Sequence, residues 1–187
     1  PEFIISCPID TYSGYGSRSR DVVRAIIELD KYEVKILAQR WGNTPWGFIK
    51  DHPEWEFLNK HLFQPEANQQ YPKPDVWMQI TIPSEFMPQG HYNIGVTAGI
   101  ESTLAPADWV EGCNRMDMIL GSSKHTIDVL KNTKFQKVDK ETKQPIGNIE
   151  LTKPTEILFE GFNEDIYKSN KSPFNLSGIR EEFCYLF

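Results

Sequence analysis

The sequence predicts an α/β domain with a mostly parallel sheet and helices on both faces. Short, almost wholly apolar runs recur along its 187 residues, as in parallel strands that are covered on both sides. Amphipathic patterns with helical spacing alternate with these runs. The order strand, helix, strand favours crossover connections between parallel strands. Together these observations predict a Rossmann-like architecture.

The first elements form a βαβ unit. Residues 3–7 are apolar and predict the first strand, whereas residues 8–17 contain Pro, Asp, Ser and two Gly and predict a loop. Residues 21–29 place apolar side chains at helical spacing, and residues 34–37 predict the second strand. A Trp- and Pro-rich stretch, residues 41–74, follows as an ordered insertion with a short helix at 54–61.

The rest of the sequence continues the alternation of predicted strands and helices. Residues 75–81 and 92–97 predict the third and fourth strands, and residues 106–116 an amphipathic helix. Residues 117–121 predict a strand, and residues 123–130 a helix capped by Ser122 or Ser123. Alternating polarity over residues 135–152 predicts a hairpin that turns at 145–148, before a strand at 155–159.

The pattern divides the chain into one full domain and the start of another. Residues 1–160 contain the whole βα alternation, and residues 161–178 have the polar composition of an interdomain linker. Residues 182–187 form an apolar run that needs a partner to cover it. We expect residues 179–187 to open a truncated second domain; the alternative is that this strand pairs back onto the first.

Composition narrows the function classes. A net charge of −6 and a pI near 5.3 argue against a broad basic surface for nucleic acid or anionic lipid. Cys7, Cys113 and Cys184 lie far apart without metal-ligand spacing, which favours reduced thiols and indicates no metal site. The start lacks the pattern of a signal peptide, and no apolar run has the length of a membrane span. These features predict a soluble cytoplasmic protein.

Polar residues follow the predicted carboxyl ends of strands, where ligands of open α/β sheets bind. Gln79 and Thr81 end the third strand, and Thr97 ends the fourth. Glu101 and Thr103 lie in the loop after it. Glu101 is either a carboxylate of the site or a capping or salt-bridging acid.

A glycine-containing segment, residues 13–20, follows the first strand. Glycines let backbone amides approach an anion, and a helix start adds partial positive charge. We therefore predict a phosphate-binding loop with its amides open to a cleft, and its members are Gly14, Tyr15, Gly16, Ser17 and Arg18. The alternative is a tight turn with solvated arginines. A dinucleotide site is disfavoured, because a third glycine and an acid after the second strand are missing.

One run of residues resembles a known family. It consists of Glu101, Pro106, Trp109-Val110, Asn114, Asp117, Met118-Ile119-Leu120 and Ser122. The run is similar to one in the first domain of two-domain, GT-B-type retaining glycosyltransferases of the group 1, family-4-like kind. The chain departs from many members in having Gln79 and Thr81 where they have a histidine.

The resemblance implies a GT-B N-terminal, acceptor-side domain of an enzyme that transfers a sugar from a nucleotide-activated donor. It implies Glu101 as a catalytic residue, the glycine segment near the donor phosphates, and no cofactor beyond the nucleotide sugar. The acceptor is a glycan, a lipid-linked glycan, a protein or a modified nucleic acid. Trp41, Trp46 and Trp55 either stack on sugar rings or pack as core and lid.

Two other functions remain open at this point, because a fold alone does not determine function. The first is a non-catalytic binding or scaffold domain. The second is a Rossmann-type nucleotide-binding module of another kind.

Overall fold

The computed structural model describes residues 1–66, 69–169 and 177–180, and it confirms the predicted α/β class. The strands are β1 (Glu2–Cys7), β2 (Glu33–Ala38), β3 (Val76–Ile80), β4 (Tyr92–Thr97), β5 (Met118–Gly121), β6 (Phe135–Val138), β7 (Pro145–Ile149) and β8 (Thr155–Ile157). The helices are α1 (Gly14–Glu28), α2 (Phe48–Asp51), α3 (Ala107–Arg115) and α4 (Lys124–Asn132). Two 3-10 helices span Pro53–His61 and Pro83–Glu85.

Six strands form one parallel sheet in the order β2-β1-β3-β4-β5-β8. The chain passes outward from β1 to β2, then crosses back to place β3 on the other side of β1. All later strands of the sheet continue in that second direction. The strand order therefore reverses between β1 and β3, and a reversal of this kind opens a crevice at the carboxyl ends of the two strands.

The sheet separates two apolar cores. Successive strand residues point to opposite faces, so Ile4 and Ile5 of β1 belong to different cores. Ile5 packs in the core that includes Val23 of α1 and Leu58 of the first 3-10 helix. Ile4 packs in the core that includes Cys113 of α3 and residues of α4. Helices therefore cover both faces, as the apolar strand patterns predicted.

The predicted hairpin exists, but its turn lies elsewhere. Strands β6 and β7 pair antiparallel as a separate two-stranded sheet, and residues 145–149 belong to β7 rather than to the turn. The chain turns over residues 139–144, where Oδ1 of Asp139 accepts from the amides of Glu141 (3.0 Å) and Thr142 (2.7 Å). An aspartate that bonds the backbone ahead of it forms a turn without glycine, so the Pro-Ile-Gly-Asn signal misplaced the bend.

Arg20 joins α1 to the loop after β1 and to the insertion. It is 4% exposed, and its Nη1 donates to the carbonyl oxygens of Ile9 (2.8 Å) and Thr11 (3.0 Å). Its guanidinium carbon lies 3.4 Å from the centre of the Phe48 ring. Burial lowers the pKa of Arg20 from its ordinary value, while the charges of Asp21 and Asp10 raise it. The buried cation therefore closes the loop over residues 8–13 and holds the insertion against it.

Within the described residues, no helix has the length and the apolar character that crossing a bilayer requires. The strand predicted at residues 182–187 lies outside the described residues, as does part of the predicted linker.

We expect Arg20→Met to lower the free energy of unfolding by about 3 kcal/mol, because two buried carbonyl groups lose a charged donor. Arg24→Met is the matched control on the same helix, where the guanidinium carbon lies 3.9 Å from the Trp55 ring centre. Loss of that stacking should cost about 0.5–1 kcal/mol. Urea denaturation of both variants measures the difference, and equal losses would contradict the role of Arg20.

Candidate functional site

A polar crevice lies where the strand order reverses. Its volume is about 280 Å³. Three short segments line it, one at the carboxyl end of each of β1, β2 and β3. The lining residues are Ser6, Pro8, Gln39, Arg40, Trp41, Gln79, Ile80, Thr81 and Glu85. Two of the residues predicted from the sequence, Gln79 and Thr81, are therefore at the crevice.

Gln79 and Thr81 use their polar groups on the 3-10 helix Pro83–Glu85 and the residues after it. Gln79 Nε2 donates to the carbonyl oxygen of Glu85 (3.0 Å), and Gln79 Oε1 accepts from the amide of Met87 (2.8 Å). The buried Thr81 hydroxyl donates to Oε2 of Glu85. Both side chains therefore hold the segment that places the exposed carboxylate of Glu85 at the crevice.

Tyr15 spans the carboxyl edge of the sheet. Its ring stacks on Trp41 with ring centres 4.2 Å apart. Its hydroxyl lies 3.1 Å from Thr97 Oγ1 and accepts from the amide of Ala98 (3.1 Å). Tyr15 thus connects the segment after β2 with the end of β4, and it fixes one face of the Trp41 indole.

A smaller cavity adjoins the crevice. Its volume is about 30 Å³, which is enough for one or two water molecules. The two spaces share Ile80 as a wall. The small cavity is lined by Gly14, Tyr15, Arg18, Ile80, Val96, Thr97, Ala98 and Glu160. The structure thereby brings Gly14, Arg18 and Thr97 together beside the crevice.

The predicted glycine loop is instead the first part of α1. Ser13 caps the helix, and its Oγ accepts from the amide of Gly16 (2.9 Å). A Cβ on Gly16 would lie 2.4 Å from the carbonyl oxygen of Thr11, so glycine permits close packing of the helix on the loop. Ser17 is exposed, and its amide donates to the carbonyl oxygen of Ser13 (2.9 Å). The amides of Gly16 and Ser17 therefore serve the helix, which corrects the prediction of an open loop.

Arg18 is bonded to the chain after β8. Its Nη1 donates to the carbonyl oxygen of Phe159 (3.1 Å), and its Nη2 donates to that of Leu158. Burial lowers the pKa of Arg18 from its ordinary value, while the charges of Glu160 and Asp21 raise it. The guanidinium predicted to bind phosphate thus holds a backbone segment at the sheet edge.

Glu101 and Thr103 are exposed and line neither cavity. The chain turns at Gly99 (φ 89°), and the carbonyl oxygen of Ala98 accepts from the Ser122 hydroxyl (2.9 Å). These contacts direct the loop after β4 towards the start of α4. The predicted roles of Glu101 and Thr103 stay predictions, and the structure does not bring them to the crevice.

The sequence analysis did not select several crevice residues as site residues: Ser6, Gln39, Arg40 and Glu85. A signal existed for Gln39 and Arg40, because they directly follow a predicted strand whose partners are parallel. Glu85 gave no comparable signal, since only the backward turn of Pro83–Glu85 brings it to the end of β3.

Among the described residues, neither a cysteine nor a histidine lines these two cavities. Burial raises the pKa of the Cys7 thiol and of the Cys113 thiol to about 12. Both thiols are therefore protonated at neutral pH and are poor nucleophiles. Within residues 1–66, 69–169 and 177–180, no group of three or more His, Cys, Asp or Glu could hold a metal ion.

Counted over the described residues, the crevice lining combines one guanidinium, one carboxylate, two amide side chains, two hydroxyls and one indole. This set offers hydrogen-bond donors and acceptors beside an aromatic face, and its two charges balance. Comparisons with protein-family models, with curated proteins and with solved structures found no match. The geometry and chemistry of the crevice are therefore the basis for a function.

We expect Gly16→Ala to lower the free energy of unfolding by about 1–3 kcal/mol, because the added methyl group overlaps Thr11. Gly14→Ala is the control on the same helical turn, where an added Cβ meets nothing within 4 Å. Alanine there should be neutral or stabilising by up to about 1 kcal/mol. Thermal and urea unfolding test the pair; equal tolerance of both changes would contradict the packing role of Gly16.

Arg18→Ala should release the segment after β8. We expect faster hydrogen exchange at the Leu158 amide, which bonds the carbonyl oxygen of Gly121 (2.9 Å), and a loss of about 1 kcal/mol in stability. Lys124→Ala serves as the surface control, because the Lys124 side chain is exposed at the start of α4, and its effect should be within about 0.5 kcal/mol. If the Leu158 amide exchanged at the same rate in wild type and Arg18→Ala, the hydrogen bonds of Arg18 would not be needed to hold the segment after β8.

Proposed function

We propose that this chain is the acceptor-side domain of a GT-B-type glycosyltransferase, which transfers a sugar from a nucleotide-activated donor to a hydroxyl-bearing acceptor. The single observation that carries the proposal is the polar crevice between the carboxyl ends of β1 and β3. Open α/β sheets bind their ligands at this type of position.

The lining of the crevice suits a carbohydrate. A sugar ring presents several hydroxyl groups around its edge and a less polar face. The amide of Gln39, the guanidinium of Arg40 and the carboxylate of Glu85 can hydrogen-bond hydroxyls. The indole of Trp41 offers an aromatic surface whose orientation is set by its stack on Tyr15.

Three of the residues that carry the family resemblance, Val110, Asn114 and Asp117, make structural contacts. Val110 is fully buried, and Oδ1 of Asn114 accepts from the amide of Thr152 (2.9 Å). Oδ2 of Asp117 accepts from the amide (2.8 Å) and the Nδ2 (2.9 Å) of Asn93, and these bonds lower the pKa of Asp117. These contacts hold the fold together, and the crevice is what supports sugar binding.

In the proposed reaction the acceptor hydroxyl oxygen bonds to the anomeric carbon of the donor sugar, and the bond from that carbon to the diphosphate oxygen breaks. The diphosphate oxygen keeps the electron pair of the broken bond, and the proton of the acceptor hydroxyl passes to that departing diphosphate. The crevice contributes by orienting the acceptor, since correct placement of two reactants removes a large entropic part of the barrier. Charge that develops on the departing diphosphate needs cationic or amide partners, and Arg40 is the cation of the crevice lining.

The proposal implies that this chain binds the acceptor sugar and that most of the grip on the donor nucleotide lies elsewhere in the complete enzyme. The two other functions make different statements. A nucleotide-binding module of another kind binds a nucleotide with this chain alone. A scaffold domain binds neither sugars nor nucleotides in the crevice.

We expect saturation-transfer NMR to detect binding of simple methyl glycosides to this chain, and we expect Trp41→Ala to weaken it on the order of tenfold through loss of buried ring contact. A panel of the methyl glycosides of glucose, galactose, mannose and N-acetylglucosamine provides the probes. Tyr92→Ala is the control, because Tyr92 is an exposed aromatic residue that begins β4, at the amino ends of the strands and away from the crevice.

Calorimetry with UDP-glucose and GDP-mannose separates the alternatives. The proposal expects dissociation constants above about 1 mM for this chain. Micromolar affinity for a nucleotide would instead support the nucleotide-binding module. Absence of any glycoside binding would contradict the proposal and favour the scaffold function. Thermal melting of each variant confirms that a lost signal reflects binding rather than unfolding.

A further inference from the structure

We infer that Glu85 is the carboxylate by which the crevice recognises ligand hydroxyl groups, and that Gln79 and Thr81 are its positioning residues. The inference rests on the proposed function, because it names the kind of sugar that the crevice accepts. At its own position in the crevice, a carboxylate favours a neutral hydrogen-bond donor over an anionic group.

The backbone that carries Glu85 is held from the side of β3. The Gln79 side chain uses both ends of its amide on this short segment, donating to the carbonyl oxygen of Glu85 and accepting from the amide of Met87. These two bonds hold a segment that contains only a three-residue 3-10 helix. The segment has no freedom to move away from the end of β3 without breaking both bonds.

The same segment is held from the side of α3. Arg115 Nε donates to the carbonyl oxygen of Phe86 (2.7 Å), and its Nη2 donates to that of Ser84 (2.9 Å). Phe86 is fully buried. A Cβ on Gly112 would lie 1.8 Å from the carbonyl oxygen of Pro83, so glycine in α3 permits the helix to sit directly on the turn.

These contacts hold the backbone of Glu85, and its side chain is exposed. Its Oε2 accepts from the buried Thr81 hydroxyl. Within the part of the chain that the structure describes, Oε1 has no hydrogen bond and the carboxylate forms no ion pair. A site built on a fixed backbone, with one oxygen committed and one available, is pre-organised for a ligand.

An ionised carboxylate accepts hydrogen bonds and donates none. Its partner must therefore be a hydrogen-bond donor. A sugar hydroxyl is a donor, whereas an ionised phosphate or carboxylate group is not. An anionic sugar meets repulsion from Glu85, although Arg40 lines the same crevice and attracts it. Specificity of this kind depends on a repulsive element as well as an attractive one.

The test compares the dissociation constants of methyl α-D-glucoside and glucose 6-phosphate by NMR titration. Glu85→Gln keeps the shape and removes the charge. We expect it to weaken glucoside binding at least tenfold, as loss of a charge-assisted hydrogen bond does, and to leave glucose 6-phosphate binding equal or tighter. Glu85→Asp, which keeps the charge, should retain the preference for the glucoside with weaker binding.

Thr81→Val tests the positioning role. Valine has nearly the shape of threonine but cannot donate to Oε2. We expect a glucoside affinity several-fold lower than that of wild type, with the preference for the neutral sugar reduced in the same direction as in Glu85→Gln. A residue that served only the fold would change the melting temperature and leave this preference intact. Glu141→Gln, an exposed carboxylate in the hairpin turn, is the matched control.

The outcomes separate the two proposals. If wild type binds the glucoside and Glu85→Gln binds it equally well, the role of Glu85 is wrong and the proposed function stands. If wild type binds none of the glycosides in the panel, both are wrong. If Glu85→Gln loses the preference while Thr81→Val keeps it, Glu85 recognises the sugar and Thr81 does not position it.

Discussion

The side of the domain that contains the crevice depends on the contacts of one buried guanidinium, that of Arg20. It joins the loop after β1 to α1 and stacks on Phe48 of the insertion. With the loop closed, Thr11 pairs with Trp46, and Tyr12 donates its amide to the carbonyl oxygen of Pro45. The segment that runs from the end of β2 into the insertion is thereby fixed, and this segment forms one wall of the crevice.

The opposite wall of the crevice is the turn after β3, and it is held in place by a different set of contacts. There a short turn after β3 is held by amide and guanidinium side chains that bond its backbone, rather than by regular secondary structure. Each wall thus consists of a few residues on an irregular segment, supported by buried groups of the regular elements. Rigid support beneath short loops is the usual way in which an α/β sheet presents binding groups.

Several features that first suggested a function make structural contacts in this domain. The glycine segment packs α1 closely on a loop, Arg18 ties α1 to the chain after β8, and Asp117 binds Asn93. The polar groups available to a ligand belong to other residues of the same sheet edge. Residues that suggest a function in the sequence can therefore belong to the framework of a domain rather than to the groups that line its crevice.

The sequence by itself determined the fold class and nearly every element, because hydrophobic periodicity is local; β4 at Tyr92–Thr97 matches its predicted range. It misplaced the start of α1, since Ser and Gly at residues 13–17 resemble a loop until Ser13 is seen as a cap and Gly16 as a contact with Thr11. Only the tertiary structure decided the crevice. The order of the strands and the return of Pro83–Glu85 onto β3 bring Arg40 and Glu85 to one space, and these are long-range pairings that no local pattern encodes.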